Sequence, residues 1–137
     1  MASEELIKGL NFALNREVST FLRYMLQGAS IKGAEWEAAR QMYLSEVTDE
    51  VGHAQYLANK ILMLGGTPEL KPDLTPPPTD VRTMLKNDIA EEQIDVKGYM
   101  ELAGLAEKEG LVDLKMKMED QAADEAGHAE GMQRLLG

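Results

Sequence analysis

The sequence predicts an all-α fold, a four-helix bundle with one long crossover between helices two and three. Three observations carry this. The chain is 44% hydrophobic but only 5% aromatic, and a balance rich in Ala, Leu, Met, Glu and Lys favours helix over sheet. Apolar residues recur at steps of three and four through four long stretches. The second half also repeats the first: Asp49-Glu50-Val51-Gly52-His53-Ala54 returns as Asp124-Glu125-Ala126-Gly127-His128-Ala129, offset by 75 positions (128 − 53). At 137 residues the chain is long enough to bury a core and is read as one domain over 1–137.

The first helix starts after Ser3, an N-cap, with Glu4 and Glu5 complementing the positive helix end. Ile7, Leu10, Leu14, Phe21, Tyr24 and Ile31 share one face, and Glu17 lies in the same row. Gly33 punctuates. The second helix runs from about Ala34 to Leu64, with a seam of Trp36, Arg40, Tyr43, Val47, Glu50, Ala54, Leu57, Ile61 and Leu64. Glu50 thus stands where a core residue belongs. Gly65, Gly66 and Pro68 stop that helix, and Pro72, Pro76, Pro77 and Pro78 prevent another before residue 79. Thr79 or Asp80 caps the third helix, whose inner row is Val81, Leu85, Ile89, Glu92, Val96, Tyr99, Ala103 and Ala106. Gly110 breaks it, and the fourth helix carries Leu111, Leu114, Met118, Ala122, Glu125, Met132 and Leu136 inward. Met42, Met63, Met84, Met116 and Met118 read as packing residues.

Helices of this length span about 40 Å at 1.5 Å per residue. Short turns at 32–34 and 109–110 make two antiparallel hairpins. The connector over residues 65–79 reaches roughly 50 Å at about 3.3 Å per residue. It can run the length of the bundle and leave helices two and three parallel, with the hairpins related by a pseudo-twofold axis. The repeat agrees in detail. Glu17 precedes Glu50 by 33 positions (50 − 17), and Glu92 precedes Glu125 by the same 33 (125 − 92). Tyr24 and Tyr99 each follow their own helix's glutamate by seven.

Glutamate and histidine at i and i+3 lie on one helical face, so Glu50 with His53, and Glu125 with His128, can each reach one ion. Glu17 and Glu92 bring the set to four carboxylates and two imidazoles. Burying even one lone charge costs several kcal/mol, so four partnerless glutamates in a core would be strongly destabilising. Two divalent cations balance them. With no cysteine, any metal takes oxygen and nitrogen ligands. Six protein groups, some bridging, leave open coordination positions for chemistry on O2 or H2O2. Tyr24 and Tyr99 fit two roles, core residues or hydrogen-bond partners of ligand carboxylates. An imidazole ligand usually gives its second N–H to a fixed acceptor, so Asp49 is expected to hold His128 and Asp124 to hold His53 across the pseudo-twofold.

The net charge of −10 argues against nucleic acid, which demands basic faces. No run of roughly 18 apolar residues occurs, so no membrane span is expected. The acidic start Met1-Ala2-Ser3-Glu4-Glu5 does not read as a signal peptide, and a cytoplasmic location is expected.

Glu17, Glu50-x-x-His53, Glu92 and Glu125-x-x-His128 resemble the ligand pattern of ferritin-like carboxylate bundles. The stretch from Ile61 to Pro68 and the segment Asp88-Ile89-Ala90-Glu91-Glu92 are similar to bacterioferritin. By this resemblance Glu17 and Glu92 are terminal ligands, Glu50 and Glu125 bridge, and His53 and His128 each complete one metal. It implies two Fe ions per subunit. Mn is also possible, since hard oxygen and imidazole ligands do not separate the two metals. The implied activity is ferroxidase: Fe(II) is oxidised by O2 or H2O2, and ferric mineral is stored in a homo-oligomer, a dimer or dimer-based shell. There are two departures. Val51 follows the first bridging glutamate where bacterioferritins carry a haem-ligating methionine, so haem by that ligand is not expected, and another methionine at a different place is the alternative. The sequence ends at Gly137, directly after the fourth helix and without the family's short fifth helix, so a smaller shell or a dimer is expected. A non-storage di-iron or di-manganese oxidoreductase uses the same six ligands. A DNA-protecting miniferritin is disfavoured by the lack of a basic tail, and a metal-free bundle leaves four glutamates on core seams unexplained.

Overall fold

In the computed structural model, which describes residues 2–137, four long helices follow one another: α1 (Glu4–Ser30), α2 (Glu37–Met63), α3 (Val81–Lys108) and α4 (Val112–Leu136). Met1, the first residue of the expected 1–137 domain, lies outside the described residues. Among those residues there is no strand, and no helix is long and apolar enough to cross a membrane. The fold is an all-α four-helix bundle.

Ser3 caps α1, its hydroxyl accepting from the Leu6 N–H at 3.1 Å. The same residue donates its backbone N–H and its hydroxyl to the Glu109 carboxylate, at 2.8 and 2.6 Å, which pins the start of α1 to the α3–α4 turn. The α2 start differs from expectation. Residues 34–36 form a single 3₁₀ turn closed by the Trp36 N–H on Gly33 O at 3.1 Å, and regular α-helix begins only at Glu37. The ends of α2 and α3 are alike. Gly65 (φ 88°) and Gly110 (φ 73°) take the left-handed conformation that closes a Schellman motif. The Gly66 and Leu111 N–H groups then return to Ile61 O and Ala106 O, both at 2.9 Å.

The crossover is fastened along α1 by a polar row. Asn11 donates to Thr67 O and accepts from the Glu69 N–H. Asn15 donates to Glu69 O and accepts from the Lys71 N–H, and the Ser19 hydroxyl accepts from the Asp73 N–H at 2.8 Å. The spacing explains the fit. Four residues of helix advance about 6 Å and two residues of extended chain about 6.6 Å, so side chains at i, i+4 and i+8 of α1 meet alternate backbone groups of the connector. Pro68 and Pro72 fall at the intervening positions, where no donor is required. The connector thus leads from the end of α2 to the opposite end of the bundle, and α2 and α3 run parallel.

Two apolar clusters fill the bundle ends. Leu6, Leu10, Leu57, Ile61, Leu102 and Leu114 belong to one, and Ile31, Ala39, Tyr43, Leu85 and Met132 to the other. Between them lies a polar layer. The buried rows depart from the sequence expectation at several positions. Ala39, not Arg40, faces inward on α2, because Arg40 reaches out to Glu37 at 2.9 Å. Leu6 is buried while Ile7 and Phe21 are only half-buried. Met84 and Met118 pack in the core, but Met63 (80% exposed) and Met116 (62%) do not. Met63 is the last residue of α2, and Met116 lies on a face of α4 that no other helix covers.

Candidate metal centre

The polar layer holds one residue from α1 (Glu17), two from α2 (Glu50, His53), one from α3 (Glu92) and two from α4 (Glu125, His128). The four glutamates are at most 1% exposed. They form two overlapping groups, Glu17–Glu50–His53–Glu125 and Glu50–Glu92–Glu125–His128, in each of which one donor atom per residue lies within 4.8 Å of every other. Glu50 and Glu125 belong to both. His53 Nδ1 is 3.7, 3.6 and 3.5 Å from Glu17, Glu50 and Glu125 oxygens. His128 Nδ1 is 3.4, 3.5 and 3.2 Å from Glu50, Glu92 and Glu125 oxygens.

The outer side of each group is tied down. Tyr24 on α1 donates its hydroxyl to Glu92 on α3, and Tyr99 on α3 donates to Glu17 on α1. His53 Nε2 sits 2.9 Å from Asp124 on α4, and His128 Nε2 sits 3.1 Å from Asp49 on α2. Every one of these four contacts crosses from one hairpin to the other, so the same bonds that orient the site also join the bundle's halves. Burial, reinforced by Glu92 and Glu17 respectively, holds the Tyr24 and Tyr99 hydroxyls well above their ordinary value, as donors.

What remains free points inward. The buried atoms left without a hydrogen-bond partner include Glu17 Oε2, Glu92 Oε2, both carboxylate oxygens of Glu50 and Glu125, and Nδ1 of both histidines. Buried polar atoms are normally satisfied, so eight orphans facing one another form a donor set that could hold metal ions. A pair of cations suits the donor set: hard oxygens, imidazole nitrogens and no sulfur. The charge balance agrees. In the protein alone, burial lifts Glu50 above the carboxylate range and Glu125 up to about 8. Burial opposes charge on the imidazoles, but neighbouring carboxylates still raise His53 to about 9 and His128 to about 12. The cluster therefore holds protons where cations would otherwise sit.

Other buried polar groups escaped the sequence reading. Asp88 (1% exposed) accepts from Arg23 at 2.9 Å and from Gln27 and Tyr43 at 2.7 Å, one helical turn before Glu92. Asp95 pairs with Arg16, and burial pushes it up to about 7 against the pull of that guanidinium. Glu46 and Gln121, one turn before Glu50 and Glu125, are also buried. The signal for this last pair was present, since they occupy equivalent positions in the repeat, 75 apart (121 − 46).

A profile of the ferritin-like domain matches residues 7–137. A bacterial ferritin from Pseudomonas aeruginosa is 28% identical over 134 residues, spanning 97% of this chain and 87% of that protein. Among solved structures, one described as "ferritin like, diiron-carboxylate proteins" from Bacillus anthracis superposes with a TM-score of 0.93 at 38% identity, covering 98% of this chain and 96% of that one. Mycobacterium tuberculosis bacterioferritin shares the fold, with a TM-score of 0.88 at 20% identity over 99% of this chain and 87% of that one. So does a dodecameric thioferritin from Bacteroides fragilis, with a TM-score of 0.83 at 24% identity over 97% of this chain and 84% of that one.

Proposed function

Because the chain belongs to the ferritin-like family, we propose that it is a ferroxidase whose dinuclear centre is held by Glu17, Glu50, His53, Glu92, Glu125 and His128. The observation that carries this is the set of eight unpartnered donor atoms converging between the two cores. Fe(II) is the substrate: two such ions become Fe(III) by giving one electron each, which with two protons from water reduces O2 to H2O2 or H2O2 to two waters. Glu17 and Glu92 each give one oxygen to a tyrosine and keep the other for a metal. Glu50 and Glu125, with both oxygens free and a place in both groups, would be the residues shared by the two ions. Each histidine is turned by its aspartate so that Nδ1 faces the site. Mn can occupy the same donor set.

The proposal extends to a homo-oligomer that retains ferric mineral, to residues 1–137 acting as a single domain, and to a cytoplasmic location. It includes no haem held by the usual ligand, because Val51 stands at the position of the bacterioferritin haem methionine. Native mass measured with iron retention tests the storage element: many irons per chain inside a closed assembly are expected. A dimer holding only two metals would instead identify a non-storage di-iron or di-manganese oxidoreductase. Fe(II) oxidation by Glu92→Ala tests the ligand assignment, and a wild-type rate would overturn it.

A further inference from the structure

The pseudo-twofold is broken beside the centre. One turn before Glu50, on the His128 side of the layer, lies Glu46, 6% exposed, with Oε2 making no hydrogen bond. At the equivalent place on the His53 side lies Gln121, fully buried, with both amide atoms unpartnered. The surroundings follow the same division. On α2, Glu46 lies one turn before Glu50 and His53 one turn after it, so Glu46 is on the side away from His53. On α4, Gln121 lies before Glu125 and His128 after it, so Gln121 is on the side away from His128. Of the other acids beside Glu46, Asp88 is paired with Arg23 at 2.9 Å and Asp49 is bonded to His128 at 3.1 Å. Gln121 has the apolar Met118 and Ala122 on its own helix, both members of the cluster around Leu114.

We propose that the two metal positions are unequal, and that Glu46 makes the position bounded by Glu92 and His128 the one that binds a divalent cation first. This rests on the dinuclear reading above. Both positions share Glu50 and Glu125, and each adds one glutamate and one histidine, so their own ligands do not distinguish them. Of the three further buried carboxylates, Asp88 and Asp95 are paired with Arg23 and Arg16, and Glu46, on one side, has no such ion pair. Burial raises Glu46 to about 8, so in the metal-free protein it holds a proton that an arriving cation displaces. The ionised carboxylate then attracts that cation in a medium that screens poorly, and the neutral amide opposite offers no such charge. Among the described residues, the unpartnered Glu46 oxygen is also the only buried, unpartnered carboxylate oxygen outside the six cluster residues.

Co(II), whose absorption reports its coordination, separates the positions when one histidine is removed at a time. His53→Ala leaves the His128 position intact, and His128→Ala leaves the other. His53→Ala should bind its first Co(II) about tenfold or more tighter than His128→Ala. Adding Glu46→Gln to His53→Ala should abolish that advantage, while adding it to His128→Ala should change affinity by less than about threefold. Gln121→Glu in the His128→Ala protein should tighten binding, a gain that misfolding cannot produce, and helicity by circular dichroism checks the other variants. Equal first-step affinities in the two histidine variants, or an equal loss on adding Glu46→Gln to both, would overturn the inference while leaving the dinuclear centre standing. Wild-type protein that binds no Co(II) would overturn the centre and this inference together.

Discussion

Asp124 on α4 lies 2.9 Å from His53 Nε2 on α2, and this contact leaves His53 Nδ1 facing the carboxylate cluster. Asp49 does the same for His128 at 3.1 Å. Asp124→Asn replaces an anionic acceptor with an amide and loosens the ring's tautomer and orientation. The expected loss of metal affinity is about 10- to 100-fold, read by Co(II) titration of each variant beside wild type. Unchanged affinity would show that the aspartate is merely adjacent.

Tyr99→Phe removes the one hydrogen bond that Glu17 receives, leaving a buried carboxylate oxygen without a partner. The metal-free protein should lose about 1–3 kcal/mol in urea unfolding. Tyr24→Phe should act alike through Glu92. A loss confined to one of the two would mean that the hairpins do not share the site evenly.

Glu50→Leu should have opposite consequences with and without metal. Burial raises Glu50 and leaves both its oxygens unpartnered in the protein alone, so an apolar side chain there relieves that penalty. Replacing buried charged groups with packed hydrophobes commonly stabilises by about 1–4 kcal/mol. Thermal unfolding of the metal-free variant should therefore show a higher Tm than metal-free wild type. Added Co(II), which stabilises wild type by mass action, should leave the variant unmoved.

The crossover predicts a different phenotype. Asn15→Ala removes the bonds to Glu69 O and from the Lys71 N–H. Their loss should cost about 1–3 kcal/mol and speed hydrogen exchange at the Glu69 and Lys71 amides. Metal affinity should be unchanged, because the hydrogen bonds of the Asn15 side chain go to Asn11, Glu69 and Lys71 and to none of the six cluster residues. A parallel fall in affinity would show that the connector sets the spacing of the hairpins at the site.

The helices, their order and the long crossover were legible because each is written locally, in periodicity, caps and breakers. The six residues of the cluster were legible because the chain states the pattern twice, and a glutamate on an apolar seam stands out. Asp88 and Asp95 were not, whereas Glu46 and Gln121 carried a signal in the repeat that went unread. A polar residue at a buried position looks the same in sequence as one on a solvated face until its partner is known, and Arg23, Arg16 and Tyr43 come from other helices. The row of Asn11, Asn15 and Ser19 was hidden for a related reason, since its partners are backbone groups that carry no residue signature. Arg40 shows the reverse error: a regular step of four placed it on the seam, while the small Ala39 beside it faces inward instead.

The most direct test of the dinuclear account is stoichiometry. Metal-free protein is loaded with Fe(II) in steps without oxygen, then exposed to O2 while oxidation is followed optically. Rapid oxidation should saturate at two irons per chain, and the break should disappear in Glu50→Leu and Glu125→Leu, the two residues common to both groups. A break at one iron per chain, or one that survives loss of either shared glutamate, would contradict a centre built on Glu50 and Glu125.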